Sequence, residues 1–270
     1  MGNHISGAAG RRELKTFSLL DQIVTVLGGT KLSFWPFIQA TGTTLLPYGS
    51  GTDGVLLTAS SAIESILDPF QHVGGVYSLK NDGTTNWLQA ADNANFSFGD
   101  ATIDSPFSLG AWILVEEALG TIRSILAKYA PGAAVAREYE LRFSATGKLI
   151  FELFDESAGS NEVATSTGTA ITPYIWQFIT MTYDGGETAP VINLYLNGVS
   201  VHDGTSVETG AYVAMEDLGQ QFRVGARDDG AGAANQVLQG RVALPFVTGS
   251  ELTAANVTTL YGLGQELLGV

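Results

Sequence analysis

The sequence has no cysteine, which excludes disulfides, thiolate metal sites and cysteine nucleophiles. Histidine is nearly as scarce: His4, His72 and His202 stand in neither a nucleophile-elbow nor a metal-ligand spacing. No run approaches the roughly 18 apolar residues that a membrane-spanning helix needs, so we expect no membrane partner. No continuous apolar stretch follows Arg11 and Arg12, so we expect no secretory signal.

Charged residues are also few, at 15%, and their balance is acidic, with a formal net charge of −14. Residues 1–31 hold four basic and two acidic side chains, whereas the rest of the chain holds nine basic and 25 acidic ones. Because so acidic a body repels phosphate backbones, we expect no nucleic-acid partner. The basic N-terminal segment either docks on an acidic surface, such as that of a sister subunit, or is a solvated tail. The sequence leaves both readings open.

Strand signals dominate the rest of the chain. Hydrophobic residues make up 45% of it, and the 33 glycines imply many turns. Turn signals recur about every 8 to 12 residues, which is typical of an all-β sandwich rather than of alternating strands and helices. The clearest predicted strands are residues 107–115, 122–129, 139–143, 149–154, 175–183, 191–196, 222–226 and 237–246.

Two short helices flank these strands. Residues 14–27 predict a helix that ends at Gly28 and carries one apolar face, formed by Leu20, Ile23, Val24 and Leu27. That face must be buried, either on the chain's own sandwich or on a partner. A second helix is predicted over residues 253–261. We divide the chain into an N-terminal arm, residues 1–31, and a sandwich, residues 32–270.

Several segments of the chain follow one another in a recognisable order. The most telling is Phe107-Ser108-Leu109-Gly110-Ala111-Trp112-Ile113, followed by the run from Trp176 to Gly185 and by Leu194-Tyr195-Leu196-Asn197-Gly198-Val199. In this order they resemble segments of the laminin-G-like and concanavalin-A-like lectin/glucanase superfamily. The resemblance covers roughly residues 32–262. It implies a jelly-roll sandwich of two antiparallel sheets, a fold that serves lectins, glycanases, receptor modules and viral structural proteins alike.

Glycanase chemistry on this fold requires two carboxylates at alternating positions of one strand. The nearest candidate is the segment Glu152-Leu153-Phe154-Asp155-Glu156. Period two places Asp155 on the opposite face from Glu152 and Glu156, so the Glu-x-Asp-x-Glu signature is absent. We therefore expect no enzymatic activity and interpret the segment as a strand end that runs into an acidic loop.

The resemblance also implies two kinds of ligand. Many relatives bind calcium through loop oxygens, and the candidate ligands here are Asp82, Asp228 and Asp229. Asp and Asn also favour turns for purely local reasons, so a structural role for the same residues stays open.

Sugar binding is the second kind, and it uses an exposed aromatic ring beside amide and carboxylate groups. The candidate rings are Trp87, Tyr129, Phe154 and Tyr212. Trp35, Trp112 and Trp176 lie in apolar strands, and we assign them to the core.

Taken together, these features favour a non-catalytic structural or interaction module. We expect a virion accessory protein, such as a phage capsid decoration or a tail or fibre component, located in the virion and homo-oligomeric among the other subunits of a larger particle. Its assembly arm would carry Arg11, Arg12 and the apolar face of residues 20–27. The alternative is a lectin-like adhesion module, which would be extracellular and bind a glycan.

Overall fold

The structure is a computed structural model and describes residues 8–38, 43–49, 57–60, 67–69, 76–132, 135–186 and 191–270. His4 and His72 lie outside the described residues, as do the side chains of Arg11 and Arg12. The helices are α1 (Ala8–Leu27), a short 3-10 helix (Ala94–Phe96) and α2 (Ala254–Leu268). The strands are, in chain order, β1 (Thr30–Phe34), β2 (Thr44–Leu45), β3 (Leu57–Ala59), β4 (Leu67–Pro69), β5 (Tyr77–Asp82), β6 (Leu88–Ala90), β7 (Phe107–Val115), β8 (Arg123–Ala130), β9 (Ala136–Phe143), β10 (Leu149–Asp155), β11 (Ser160–Ser166), β12 (Trp176–Tyr183), β13 (Ile192–Leu196), β14 (Val199–Ser200), β15 (His202–Thr209), β16 (Phe222–Val224), β17 (Arg227–Asp228), β18 (Ala234–Asn235) and β19 (Gln239–Gly249).

Two large antiparallel sheets form a sandwich, which confirms the all-β jelly-roll prediction. Among the described residues, one sheet has eight strands in the order β14-β13-β12-β7-β19-β5-β4, with β1 paired to β19. The other has nine, in the order β15-β11-β10-β9-β8-β16-β6-β3-β2. A two-stranded ribbon, β17-β18, completes the described strands.

The core lies between the sheets and follows from the period-two pattern of the strands. In β9, Tyr139, Leu141 and Phe143 point inward, and in β10 Phe151 and Leu153 do so. β7 is buried along almost its whole length, as its nearly continuous apolar sequence predicts for a strand covered on both faces.

The second cover of β7 is a layer formed by the two helices. The apolar face of α1 packs on strands of the eight-stranded sheet together with α2. Leu20, Ile23 and Leu27 are buried there, and Val24 is half-buried against the same cluster. Of the two locations that the sequence leaves open for this face, the structure shows the chain's own sandwich.

Close packing of α2 depends on one glycine. A Cβ atom at Gly264 would lie 2.2 Å from the indole Nε1 of Trp112, so only glycine allows the helix to approach that ring. Tyr261, one turn earlier, stacks on Trp112 with ring centroids 5.5 Å apart. Lys15 of α1 and Glu266 of α2 form a salt bridge of 2.9 Å across the top of this layer.

Most predicted elements are confirmed, and the largest differences in length are in the two helices. α1 begins at Ala8 rather than at residue 14, and α2 runs to Leu268 rather than to residue 261. No helix in the described ranges combines the length and the apolar character that crossing a membrane requires.

Candidate functional site

The nine-stranded sheet differs from its partner in what covers its outer face. Both α-helices pack on the eight-stranded sheet, so the outer face of the nine-stranded sheet carries polar and charged side chains instead. Glu140 and Arg142 of β9 and Glu152 of β10 alternate with core residues and therefore share this face. We call it the arginine face.

The first of two pockets on this face lies over β8 to β11. We call it the arginine pocket because three guanidinium groups line it, and its volume is about 410 Å³. Its lining residues are Ile122, Tyr129, Arg137, Arg142, Glu152, Phe154, Gly159, Ser160, Asn161, Arg227 and Gln236.

The second pocket, of about 460 Å³, lies beside it over β6, β8 and β16, and we call it the glutamine pocket. Its lining residues are Trp87, Gln89, Ala130, Gln220, Gln221, Asp228, Gly230 and Gly232. The two pockets are neighbours, because Tyr129 and Arg227 line the first while Ala130 and Asp228 line the second.

Two of the predicted sugar platforms meet in the arginine pocket. The rings of Tyr129 and Phe154 pack edge to face with centroids 5.3 Å apart. Each ring is covered by a cation: the guanidinium of Arg227 lies 4.5 Å from the Tyr129 centroid, and that of Arg137 lies 4.7 Å from the Phe154 centroid. The rings are therefore only 8% and 4% exposed, and the arginines form the accessible surface.

The other two predicted platforms lie apart from this pair. Trp87 is half-buried in the glutamine pocket, where its indole N–H donates to Gln89 Oε1 at 3.3 Å. Tyr212 belongs to the core, and its hydroxyl donates to the buried carboxylate of Asp104. Burial and the negative charge of Asp104 raise the pKa of Tyr212 far above its usual value. Tyr212 thus has a structural position and no ring face for a ligand.

Glu140 is the member of the site that the sequence analysis missed. It lies in register with Glu152 on the neighbouring strand, and its side chain is 0% exposed. Its Oε2 atom accepts from Arg227 Nη1 at 3.1 Å, while Arg142 Nη2 donates to Glu152 Oε2 at 2.7 Å. Burial raises the pKa of Glu140, and the charges of Arg227 and Arg142 oppose that rise.

A signal for Glu140 is present in the sequence. The clean alternation of residues 139–143 places Glu140 and Arg142 together on the face opposite the core. What the sequence does not show is which charged residues of other strands meet them there.

Three polar atoms at the arginine pocket have no hydrogen-bond partner within the described structure. They are the hydroxyl of Ser160, Nε of Arg227 and Oε1 of Gln236, and each of these atoms is buried. Buried polar atoms in folded proteins are nearly always hydrogen-bonded, to protein groups or to ordered water. The three unpartnered atoms, one donor, one acceptor and one hydroxyl, all belong to residues that line the pocket.

The predicted calcium ligands are used within their own turns. Asp82 Oδ1 accepts the backbone N–H groups of Thr84 and Thr85 at 2.9 and 2.6 Å. Asp228 accepts from the backbone of Gly230 and from the guanidinium of Arg223, which occupies the place of a cation. These bonds give Asp82 and Asp228 a structural role in their turns.

Asp229 is used in the same way, because its Oδ1 accepts the N–H groups of Ala231 and Ala233 at 2.8 and 3.1 Å. Across the part of the chain that the structure describes, no three His, Asp or Glu side chains group so as to hold a metal ion. We assign none of the three aspartates to calcium.

Comparisons with known proteins agree with this architecture. The family profile described as the concanavalin A-like lectin/glucanases superfamily matches residues 82–258. No curated protein matches the sequence.

Solved structures with the same fold include toxin binding domains and a sialidase. The binding domain of botulinum neurotoxin serotype G has a TM-score of 0.55 and 16% identity, over 88% of this chain and 51% of that one. The binding domain of Paraclostridial mosquitocidal protein 1 has a TM-score of 0.57 and 13% identity, over 87% and 52%. A mutant Trypanosoma rangeli sialidase displaying trans-sialidase activity has a TM-score of 0.58 and 15% identity, over 97% and 39%. This chain spans about half of the length of those proteins or less, and the likeness concerns the fold.

Proposed function

Because the chain belongs to the concanavalin A-like lectin/glucanases superfamily, we propose that it is a non-catalytic, lectin-like module that binds a glycan on its arginine face. The observation that carries this proposal is the set of unpartnered polar atoms of Ser160, Arg227 and Gln236 around one pocket. Sugar hydroxyl groups both donate and accept hydrogen bonds, so a saccharide can satisfy all three atoms at once.

The pocket is held in place before any ligand arrives. Arg142 is anchored by Glu152, and Arg137 is anchored by a two-point contact with Glu156. Side chains that are already fixed lose little conformational freedom on binding, which favours affinity. The rings of Tyr129 and Phe154 add apolar edges beneath the cations.

The same anchoring argues against hydrolysis. A glycosidase needs one carboxylic acid and one carboxylate that both reach the substrate. Glu140 has no exposed surface, and Glu152 is engaged by the guanidinium of Arg142. The pair therefore serves to position arginines, which is a binding arrangement.

The proposal is tested by glycan-array screening of the full chain, followed by calorimetric titration of the best saccharide. The decisive variants are Ser160→Ala and Gln236→Ala, which remove atoms that have no partner in the free protein. We expect each to weaken binding by about tenfold, the value of one hydrogen bond of about 1.4 kcal/mol, with no loss of stability.

A matched control is Thr180→Val, which also removes a buried hydroxyl without a partner, but in the eight-stranded sheet. It should leave binding unchanged. If no saccharide binds, or if all three variants bind alike, the proposed site is wrong.

A role as a subunit of a larger particle is the second candidate, and the charge distribution favours it. Residues 1–31 are basic, whereas the rest of the chain carries an excess of 16 acidic side chains. The apolar face of α1 is already buried on the sandwich, so an anchoring role falls to the basic residues, Arg11 and Arg12 among them. We expect the full chain to self-associate and the Arg11→Ala, Arg12→Ala double variant to be monomeric. Equal masses by light scattering would contradict the anchoring role.

A further inference from the structure

We propose that the arginine pocket selects an acidic saccharide, one that carries a carboxylate on the sugar. This inference rests on the proposed glycan-binding function and names its ligand class. The lining of the pocket contains three arginines and one glutamate, and two further glutamates, Glu140 and Glu156, pair with Arg227 and Arg137 from outside the lining. The chain as a whole carries −14 and has only 13 lysines and arginines, so such a concentration of cations runs against its composition.

The internal carboxylates leave part of this positive surface open. Glu152 takes Nε and Nη2 of Arg142 through a single oxygen, Oε2, at 3.1 and 2.7 Å. Glu140 and Glu156 hold Arg227 and Arg137, but neither lines the pocket. The ligand therefore meets the guanidinium groups rather than their anchors.

Arg227 supplies the specific donor. Its Nη1 atom is engaged by Glu140, while its buried Nε atom has no partner among the described residues. An orphaned N–H on a charged guanidinium favours an anionic acceptor, because charge-assisted hydrogen bonds are about twice as strong as neutral ones. A planar carboxylate also matches the fork of guanidinium donors better than a neutral hydroxyl group does.

The test compares saccharides that differ only in this charge. One pair is trigalacturonate and its methyl ester, and the other is 3′-sialyllactose and the methyl ester of its sialic acid carboxylate. Together the pairs distinguish a uronic acid from a sialic acid as the source of the carboxylate. We expect the acidic member of at least one pair to bind about tenfold or more tightly than its neutral partner, and the preference to shrink as salt rises.

The variant that isolates the charge is Gln236→Glu, which places a carboxylate inside the pocket. We expect it to abolish the preference for the acidic member without lowering the thermal midpoint, because the new carboxylate lies among arginines. Arg142→Lys keeps the charge but loses the fork, and should reduce the preference only in part. The matched control is Gln89→Glu, which adds the same group to the glutamine pocket and should leave the preference intact.

Equal binding within both pairs, or an acid preference that survives Gln236→Glu, would overturn this inference while the glycan-binding function stands. Failure of every saccharide, neutral and acidic, would overturn both.

Discussion

The outer faces of the two sheets are covered by different kinds of side chain. The eight-stranded sheet is covered by α1 and α2, and the contact is apolar, with Leu20 against strands that carry Trp112, Phe178 and Phe246. The nine-stranded sheet is covered by its own charged side chains, with Arg227 and Arg137 lying over Tyr129 and Phe154.

The apolar and the charged outer face differ in how much they contribute to the stability of the fold. A fully buried leucine contributes about 1.5 to 3 kcal/mol to folding, whereas a buried ion pair is often no better than apolar residues of the same volume. Of the two outer faces, the helix-covered one therefore contributes more to stability. The arginine face contributes less to stability, and we propose that its ordered cations serve binding.

The largest effect is expected on the helix-covered face. Leu20→Ala removes a side chain that is 0% exposed and leaves a cavity between α1 and the sheet. We expect the free energy of unfolding to fall by about 2 to 5 kcal/mol, as measured by urea denaturation. The control Ser18→Ala, on the exposed side of the same helix, should change it by less than about 0.5 kcal/mol. A small effect of Leu20→Ala would mean that α1 does not pack on the sandwich.

The structure of the helix-covered face is also the part that the sequence predicts best, because the helix and its buried side follow from the spacing of apolar residues. The spacing of Leu20, Ile23 and Leu27 predicts the helix and its buried side, and Gly28 marks its end with a φ of +47°. The pair Asn197-Gly198 predicts a hairpin turn, and both residues have positive φ in the structure.

The errors come from residues whose role depends on distant partners. α2 runs past its predicted end at residue 261, and Gly264 lies inside it because the helix must approach Trp112. β11 and β15 were not predicted, since both are polar strands toward one edge of the nine-stranded sheet. The role of Glu140 escapes detection because its partner Arg227 comes from another strand, 87 residues away along the chain.

The second-largest change in unfolding free energy is expected on the arginine face. Arg227→Leu leaves Glu140 buried with Arg142 as its remaining cation, and should cost about 3 kcal/mol of unfolding free energy. The double variant Arg227→Leu, Glu140→Leu should recover most of this loss, because a paired removal leaves no uncompensated charge. It should also lose glycan binding. A double variant less stable than the single one would show that the ion pair holds the fold.

The third effect is a pH dependence that arises beside this face. Burial raises the pKa of Glu138 to about 7, against the opposing charge of Lys128, so the folded state holds a proton that the unfolded state releases above its ordinary pKa of 4.5. This contribution to stability is fully present below pH 4.5 and is lost as pH rises through 7. The pKa of Asp155 is lowered, because backbone N–H groups including that of Ala158 donate to it, so its contribution is lost as pH falls below 3.8.

Denaturation across pH should therefore show greatest stability at about pH 4 to 5 and a decline toward pH 7.5. Glu138→Gln should flatten that decline, with Asp92 at 3.0 Å remaining as a counter-ion for Lys128. Stability that rises steadily from pH 5 to 7.5 would show that Glu138 is ionised in the folded protein.

The most direct test of a binding function for the arginine face is hydrogen exchange of the full chain with and without a saccharide that the array identifies. We expect slower exchange in β11 and in the β17-β18 ribbon, which carry Ser160, Arg227 and residues next to Gln236, with α1 and α2 unchanged. Protection confined to the two helices, or to the eight-stranded sheet, would contradict it.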